Sequence, residues 1–92
     1  MNVIYLARNK KNGKCYVGKT KDYKQLKNQL EQIAGMYEQN IPFHNAIRLY
    51  GIDGFEFIDL ASVFDEVETN LRINEYIEQF DTFESGYNWF IV

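Results

Sequence analysis

The sequence predicts an α+β fold: a small antiparallel three-stranded sheet flanked by helices, with elements in the order ββααβα. Three observations predict it. Residues 2–7 and 14–18 are short runs rich in β-branched and aromatic residues, separated by a loop that contains Asn12-Gly13, a strong hairpin signal. Apolar residues recur at three- and four-residue steps over 22–40, which is the helical period, and a second helical stretch covers 65–80. Between these stretches, Phe55-Glu56-Phe57-Ile58-Asp59-Leu60 alternates apolar and acidic residues, as a half-buried strand does.

Each element has its own local justification. In the hairpin, the period of two puts Ile4, Leu6, Cys15 and Val17 on one face, the expected core face, and Tyr5 and Tyr16 together on the other. The first helix is expected to open at Asp22 as its N-cap and to carry Tyr23, Leu26, Leu30, Ile33 and Tyr37 along one side. Gly35 weakens it by roughly 1 kcal/mol relative to alanine, marking an early end or a kink. Pro42 suits the first turn of a second, short helix with Ala46, Ile47 and Tyr50 as its apolar positions, and Gly51 ends it. The third strand covers 55–60. The last helix runs from Asp65 to about Phe80, with Val67, Leu71, Ile73, Ile77 and Phe80 as its apolar positions. The tail 86–92 includes Tyr87, Trp89 and Phe90 and is expected to pack on the body.

Composition narrows the function classes. The 92 residues are 46% hydrophobic and 16% aromatic with one proline, a globular profile of one expected domain spanning 1–92. No apolar run approaches the ~18 residues of a membrane span, and the first residues lack the layout of a secretory signal. Cys15 is the single cysteine, so neither an intrachain disulfide nor a thiolate metal cage is available and a reduced, cytoplasmic setting is expected. Charge is uneven. Residues 1–28 hold eight Lys/Arg against one acid, a balance of +7, and residues 29–92 hold two Arg against twelve acids, −10, which together give the net −3. A basic first third on an acidic body allows local attraction to phosphate while the whole chain is anionic.

Val3-Ile4-Tyr5, Asn12-Gly13-Lys14 and Tyr16-Val17-Gly18 resemble the signature hairpin of the GIY-YIG nuclease superfamily. Ala46-Ile47-Arg48-Leu49-Tyr50-Gly51 with Phe55-Glu56-Phe57 resembles its second helix and third strand. Glu75-Tyr76-Ile77 and Gly86-Tyr87-Asn88 resemble its last helix and closing motif. The resemblance runs from residue 2 to residue 88. It implies that Tyr5 and Tyr16 stand at the signature tyrosine positions and that Asn88 stands at a polar position near the site. It also implies an arginine on the first helix, a histidine one turn later and a metal-binding glutamate on the last helix, which would stabilise charge on a scissile phosphate. Those three positions fall at Leu26, Leu30 and Ile73. Leucine and isoleucine offer neither a lone pair to a metal nor a fork of N–H donors to a phosphate.

The expected function is a catalytically inactive binding module, encoded by a phage or mobile element, that captures a nucleic-acid or nucleotide ligand in the former active-site cleft. Tyr5 and Tyr16 would wall that cleft, Lys19 would supply a cation, Leu26 and Ile73 would form an apolar floor, and Asn88 would add a polar group. No metal or other cofactor is expected. An alternative is an acidic protein-binding inhibitor that imitates nucleic acid and uses Asp65, Glu66 and Glu68. A second alternative is an active endonuclease using Mg²⁺, with its ligand relocated to Glu75 or Glu56. Solvated charge at Lys10, Lys11 and Lys14, a helix-surface role for His44 and simple burial of Cys15 are the plain expectations for the remaining singular residues.

Overall fold

The computed structural model describes residues 1–35 and 41–88, and the predicted positions Tyr37, Trp89 and Phe90 lie outside them. Strands β1 (Asn2–Asn9) and β2 (Cys15–Thr20) form the hairpin, and β3 (Phe55–Val63) pairs with the other side of β1, giving an antiparallel sheet of order β2-β1-β3. Helix α1 (Leu26–Ala34) follows a 3₁₀ turn at Tyr23–Gln25, α2 (Pro42–Tyr50) is followed by a second 3₁₀ turn, and α3 (Glu66–Phe80) comes last. Among the described residues no helix is long and apolar enough to cross a membrane.

The turn closes as its residue types dictate. The Asn9 N–H donates to the Lys14 carbonyl at 2.9 Å, and the side-chain oxygens of Asn9 and Asn12 accept from the backbones of Lys11 and Lys14. The third strand extends three residues beyond the alternating run because its register steps over Leu60, opposite the Ile4–Tyr5 junction. This bulge keeps apolar residues of β3 facing the core on both sides of it.

Both faces of the sheet are covered, where the hairpin pattern predicted one core face. Ile4, Leu6, Cys15 and Val17 pack with Val63, Ile73 and Ile77 under α3. Tyr5 and Ala7, the intervening residues, pack with Leu26, Leu30, Ala34, Phe43, Ala46, Ile47, Phe55 and Tyr87 under α1 and α2. Two other expectations need correction. Asp22 makes no side-chain cap and precedes the 3₁₀ turn, so α1 opens only at Leu26; its end at Ala34, with Gly35 as C-cap, is the early end that Gly35 suggested. Val67 and Leu71, predicted as apolar positions of the last helix, are exposed, whereas the helix buries Thr69, Ile73 and Ile77. The last helix opens where expected, with Asp65 as its N-cap: the Asp65 carboxylate accepts from the Glu68 N–H at 2.9 Å.

Candidate functional site

Tyr5 and Tyr16 share a face with ring centroids 6.2 Å apart, tilted by 46°. The Tyr5 ring lies over Gly18, its partner across the hairpin. A Cβ on Gly18 would sit 2.6 Å from the Tyr5 hydroxyl and 2.7 Å from the Tyr16 ring, so the signature glycine is the space in which the tyrosine packs. Gly18→Ala is expected to destabilise by about 1–3 kcal/mol through overpacking, read as a lower urea midpoint at unchanged slope.

The pair does not wall an open cleft. Tyr5 is only 3% exposed, and Phe43 of α2 stacks on Tyr16 with centroids 4.2 Å apart and planes 8° from parallel. Fully burying a Phe side chain contributes about 1.5–3 kcal/mol. A stacked base would have to displace Phe43 against that stabilisation. Burial, with a smaller contribution from Tyr16, holds the Tyr5 hydroxyl well above its ordinary range, and burial raises Tyr16 as well. Both are neutral phenols at physiological pH.

The remaining predicted residues are spread over the fold. Leu26 and Leu30 are buried beside Tyr5, whereas Ile73 is 2% exposed in the apolar layer on the opposite face. Leu26 and Ile73 therefore do not form a common floor, because adjacent residues of β1 direct the two layers to opposite sides of the sheet. Lys19 pairs with Glu66 and donates to Asn70 at 3.2 Å, and the hydrogen bonds from Lys19 and Asn2 hold Glu66 below the ordinary carboxylate range. Glu75 is exposed, and Glu56 turns towards Arg8 at 3.9 Å. Among the described residues no group of three or more His, Cys, Asp or Glu side chains is placed to hold a metal ion.

Asn88 is fully buried and works as a clamp. Its side-chain oxygen accepts from the Val17 N–H at 2.8 Å, and its side-chain nitrogen donates to the Val17 carbonyl at 3.0 Å. With the Tyr87 N–H donating to the Cys15 carbonyl at 2.8 Å, the closing motif satisfies the outer edge of β2 as a short extra strand would. Tyr87 also accepts through its hydroxyl from the Asn9 side chain at 3.0 Å, fastening the hairpin turn.

An open groove of about 560 Å³ lies elsewhere, along β3 and the start of α1. Leu26 is the one predicted ligand residue in its lining, which also includes Lys10, Tyr23, Lys24, Lys27, Phe55 and Phe57. Lys27 Nζ sits 5.6 Å above the Phe57 ring centre, and Lys10 Nζ donates to the Asp53 carbonyl at 3.0 Å. The excess of lysine in the first 28 residues was the available sequence signal for this groove. Its aromatic half comes from a strand about 30 residues further on, which local patterning could not connect to it.

His44 departs from a simple surface position: its Nδ1 is buried without a hydrogen-bond partner, and burial, then the Arg48 charge, lowers its pKa. The folded protein thus binds fewer protons than the unfolded chain through the histidine range, so stability is full above the ordinary value near pH 6.5 and falls as pH drops through it. Because His44 is the only histidine, urea unfolding at pH 7.5 and 5.5 is expected to show a loss at the lower pH that His44→Gln abolishes.

A ββααβα domain with a signature tyrosine pair over a glycine and a closing Gly-Tyr-Asn clamp defines a GIY-YIG-like fold. The chain is similar to the catalytic domain of the intron endonuclease I-TevI in a mutant form, at 24% identity, with 100% of this chain and 97% of that one covered and a TM-score of 0.79. A second structure of the catalytic domain of homing endonuclease I-TevI aligns at 25% identity over 96% of this chain and 97% of that one, with a TM-score of 0.75. No protein-family model matches the chain, and no curated protein does.

Proposed function

We propose that this chain is a non-catalytic GIY-YIG-like module that captures single-stranded nucleic acid or a nucleotide in the Lys10–Lys24–Lys27 groove. The observation that carries the reading is three lysines around an aromatic-lined groove of about 560 Å³. Such a groove offers cations to a phosphate and ring faces to a base. Buried Leu26, Leu30 and Ile73 at the positions where the resemblance implies catalytic groups support capture without turnover. The groove replaces the tyrosine cleft as the ligand site in this reading, because the cleft is packed by Phe43 and its cation, Lys19, is engaged by Glu66. A reduced cytoplasmic setting and a phage or mobile-element origin belong to the same proposal.

Fluorescence anisotropy with a labelled oligothymidylate, competed by mononucleotides, tests it. Binding is expected to weaken with salt at a log–log slope of about −2, as contact of two to three lysines with a single strand predicts. Lys24→Glu/Lys27→Glu is expected to weaken binding at least tenfold, Tyr23→Ala and Phe57→Ala by about fivefold or more through lost stacking, and Lys19→Glu hardly at all. Absence of binding at low salt, or an unchanged affinity in the double lysine variant, would remove the groove from this role.

A further inference from the structure

The acidic half of the molecule carries an apolar surface that its own fold does not use. Phe64 is 84% exposed, Val67 68%, Leu71 58% and Phe83 46%. Val67 and Leu71 are four residues apart on α3, and Asn74 and Glu78 continue the same stripe. The stripe ends in a pocket of about 340 Å³ lined by Asn74, Ile77, Glu78, Asp81, Phe83 and Glu84. From Val67 to Glu78 it is about 17 Å long, three helical turns. Exposed large apolar residues gathered along one line mark an interaction surface more often than scattered ones do.

Charge selects the occupant. Residues 64–84 hold seven acids and one arginine. Asp65 caps α3, Glu66 pairs with Lys19, and Glu68 lies 3.5 Å from Arg72. Among the described residues Glu75, Glu78 and Glu84 form no ion pair. A second copy docking through the same face would set carboxylates against carboxylates about a two-fold axis. We propose that this face, independently of the lysine groove, docks a cationic amphipathic helix of another protein. Its apolar side would lie along Phe64, Val67 and Leu71 with an anchor in the Phe83 pocket, and its lysines or arginines would meet Glu75, Glu78 and Glu84.

A fluorescein-labelled 14-residue Leu/Lys peptide with leucines at helical spacing serves as the probe. A scrambled peptide of the same composition and a Leu/Glu version are the controls. At physiological salt the full chain is expected to bind the amphipathic Lys peptide at least tenfold tighter than the scrambled one, and the Glu version not measurably. Val67→Ser/Leu71→Ser is expected to weaken binding at least tenfold at unchanged Tm, because both side chains are exposed. Lys24→Glu/Lys27→Glu should leave peptide affinity unchanged, which separates this surface from the nucleic-acid groove. Equal binding of the scrambled peptide, unchanged affinity in the serine variant, or a fall in its Tm would overturn the proposal. So would a dimer of the chain alone, seen by sedimentation and dissolved by the serine variant, since the occupant would then be a second copy.

Discussion

Gly86→Ala is expected to be the most damaging single-methyl change in the chain, lowering Tm by about 10 °C or more. A Cβ at this position would lie 2.3 Å from the Cys15 carbonyl oxygen and 2.9 Å from the Cα and carbonyl oxygen of Thr82. All three are backbone atoms, so no flexible side chain can yield, and the closing segment must move away from β2. That displacement breaks the Tyr87–Cys15 bond and pulls the Asn88 amide from Val17, leaving buried polar groups without partners at about 1–3 kcal/mol each. A loss of about 3 kcal/mol corresponds to roughly 12–24 °C in a domain of this size. Asn88→Ala is expected to cost about 2–4 kcal/mol by the same bonds, and in both variants the Val17 amide should lose hydrogen-exchange protection more than Ile4 does. A Gly86→Ala protein within 2 °C of the wild type would show that the closing motif does not hold the edge of β2.

Restoring the residues implied by the GIY-YIG resemblance is expected to damage the fold and not to create a nuclease. Ile73→Glu puts a carboxyl group into the layer of Ile4, Leu6 and Val17. Lost packing and an unpartnered polar group together cost about 3–5 kcal/mol. Desolvation raises the carboxyl pKa in the folded state. Between the unfolded value near 4.3 and that raised value the folded protein holds the extra proton, so the variant loses further stability as pH rises from 4 to 7. Leu26→Arg differs because Leu26 also lines the groove. Its guanidinium can extend into that groove while the stem stays buried, and the expected cost is about 1–2 kcal/mol. Its expected gain is tighter oligonucleotide binding, since arginine clamps phosphate. Supercoiled plasmid incubated with Mn²⁺ is expected to stay intact with the wild type, with each single variant and with the pair. Nicking by the wild type or by either single variant would show that another side chain completes a catalytic site, and the non-catalytic reading would fall.

Much of the architecture was legible from local pattern. The Asn12-Gly13 turn with flanking alternation placed the hairpin and put Tyr5 and Tyr16 on one face, because side-chain direction in a strand depends only on parity. Pro42 and Gly51 bracketed α2, and Asp65 opened α3, because capping is decided within a few residues. The candidate site was less legible. Nothing in the local pattern pairs Phe43 with the Tyr16 ring it stacks on, or shows that the Asn88 side chain clamps a backbone 71 residues away. Periodicity identified Val67 and Leu71 as apolar without showing that α3 turns them outward.

The sequence by itself determined the order of elements, the tyrosine pair, the apolar character of Leu26, Leu30 and Ile73, and the split of charge between the two parts of the chain. Those properties belong to single residues or to neighbours within a few positions. Only the tertiary structure decided that both faces of the sheet are covered, that Leu26 and Ile73 lie in separate layers, and that the three lysines meet Phe57 in one groove. Each of these depends on which elements pack across the sheet, and that is set by contacts between residues far apart in the chain.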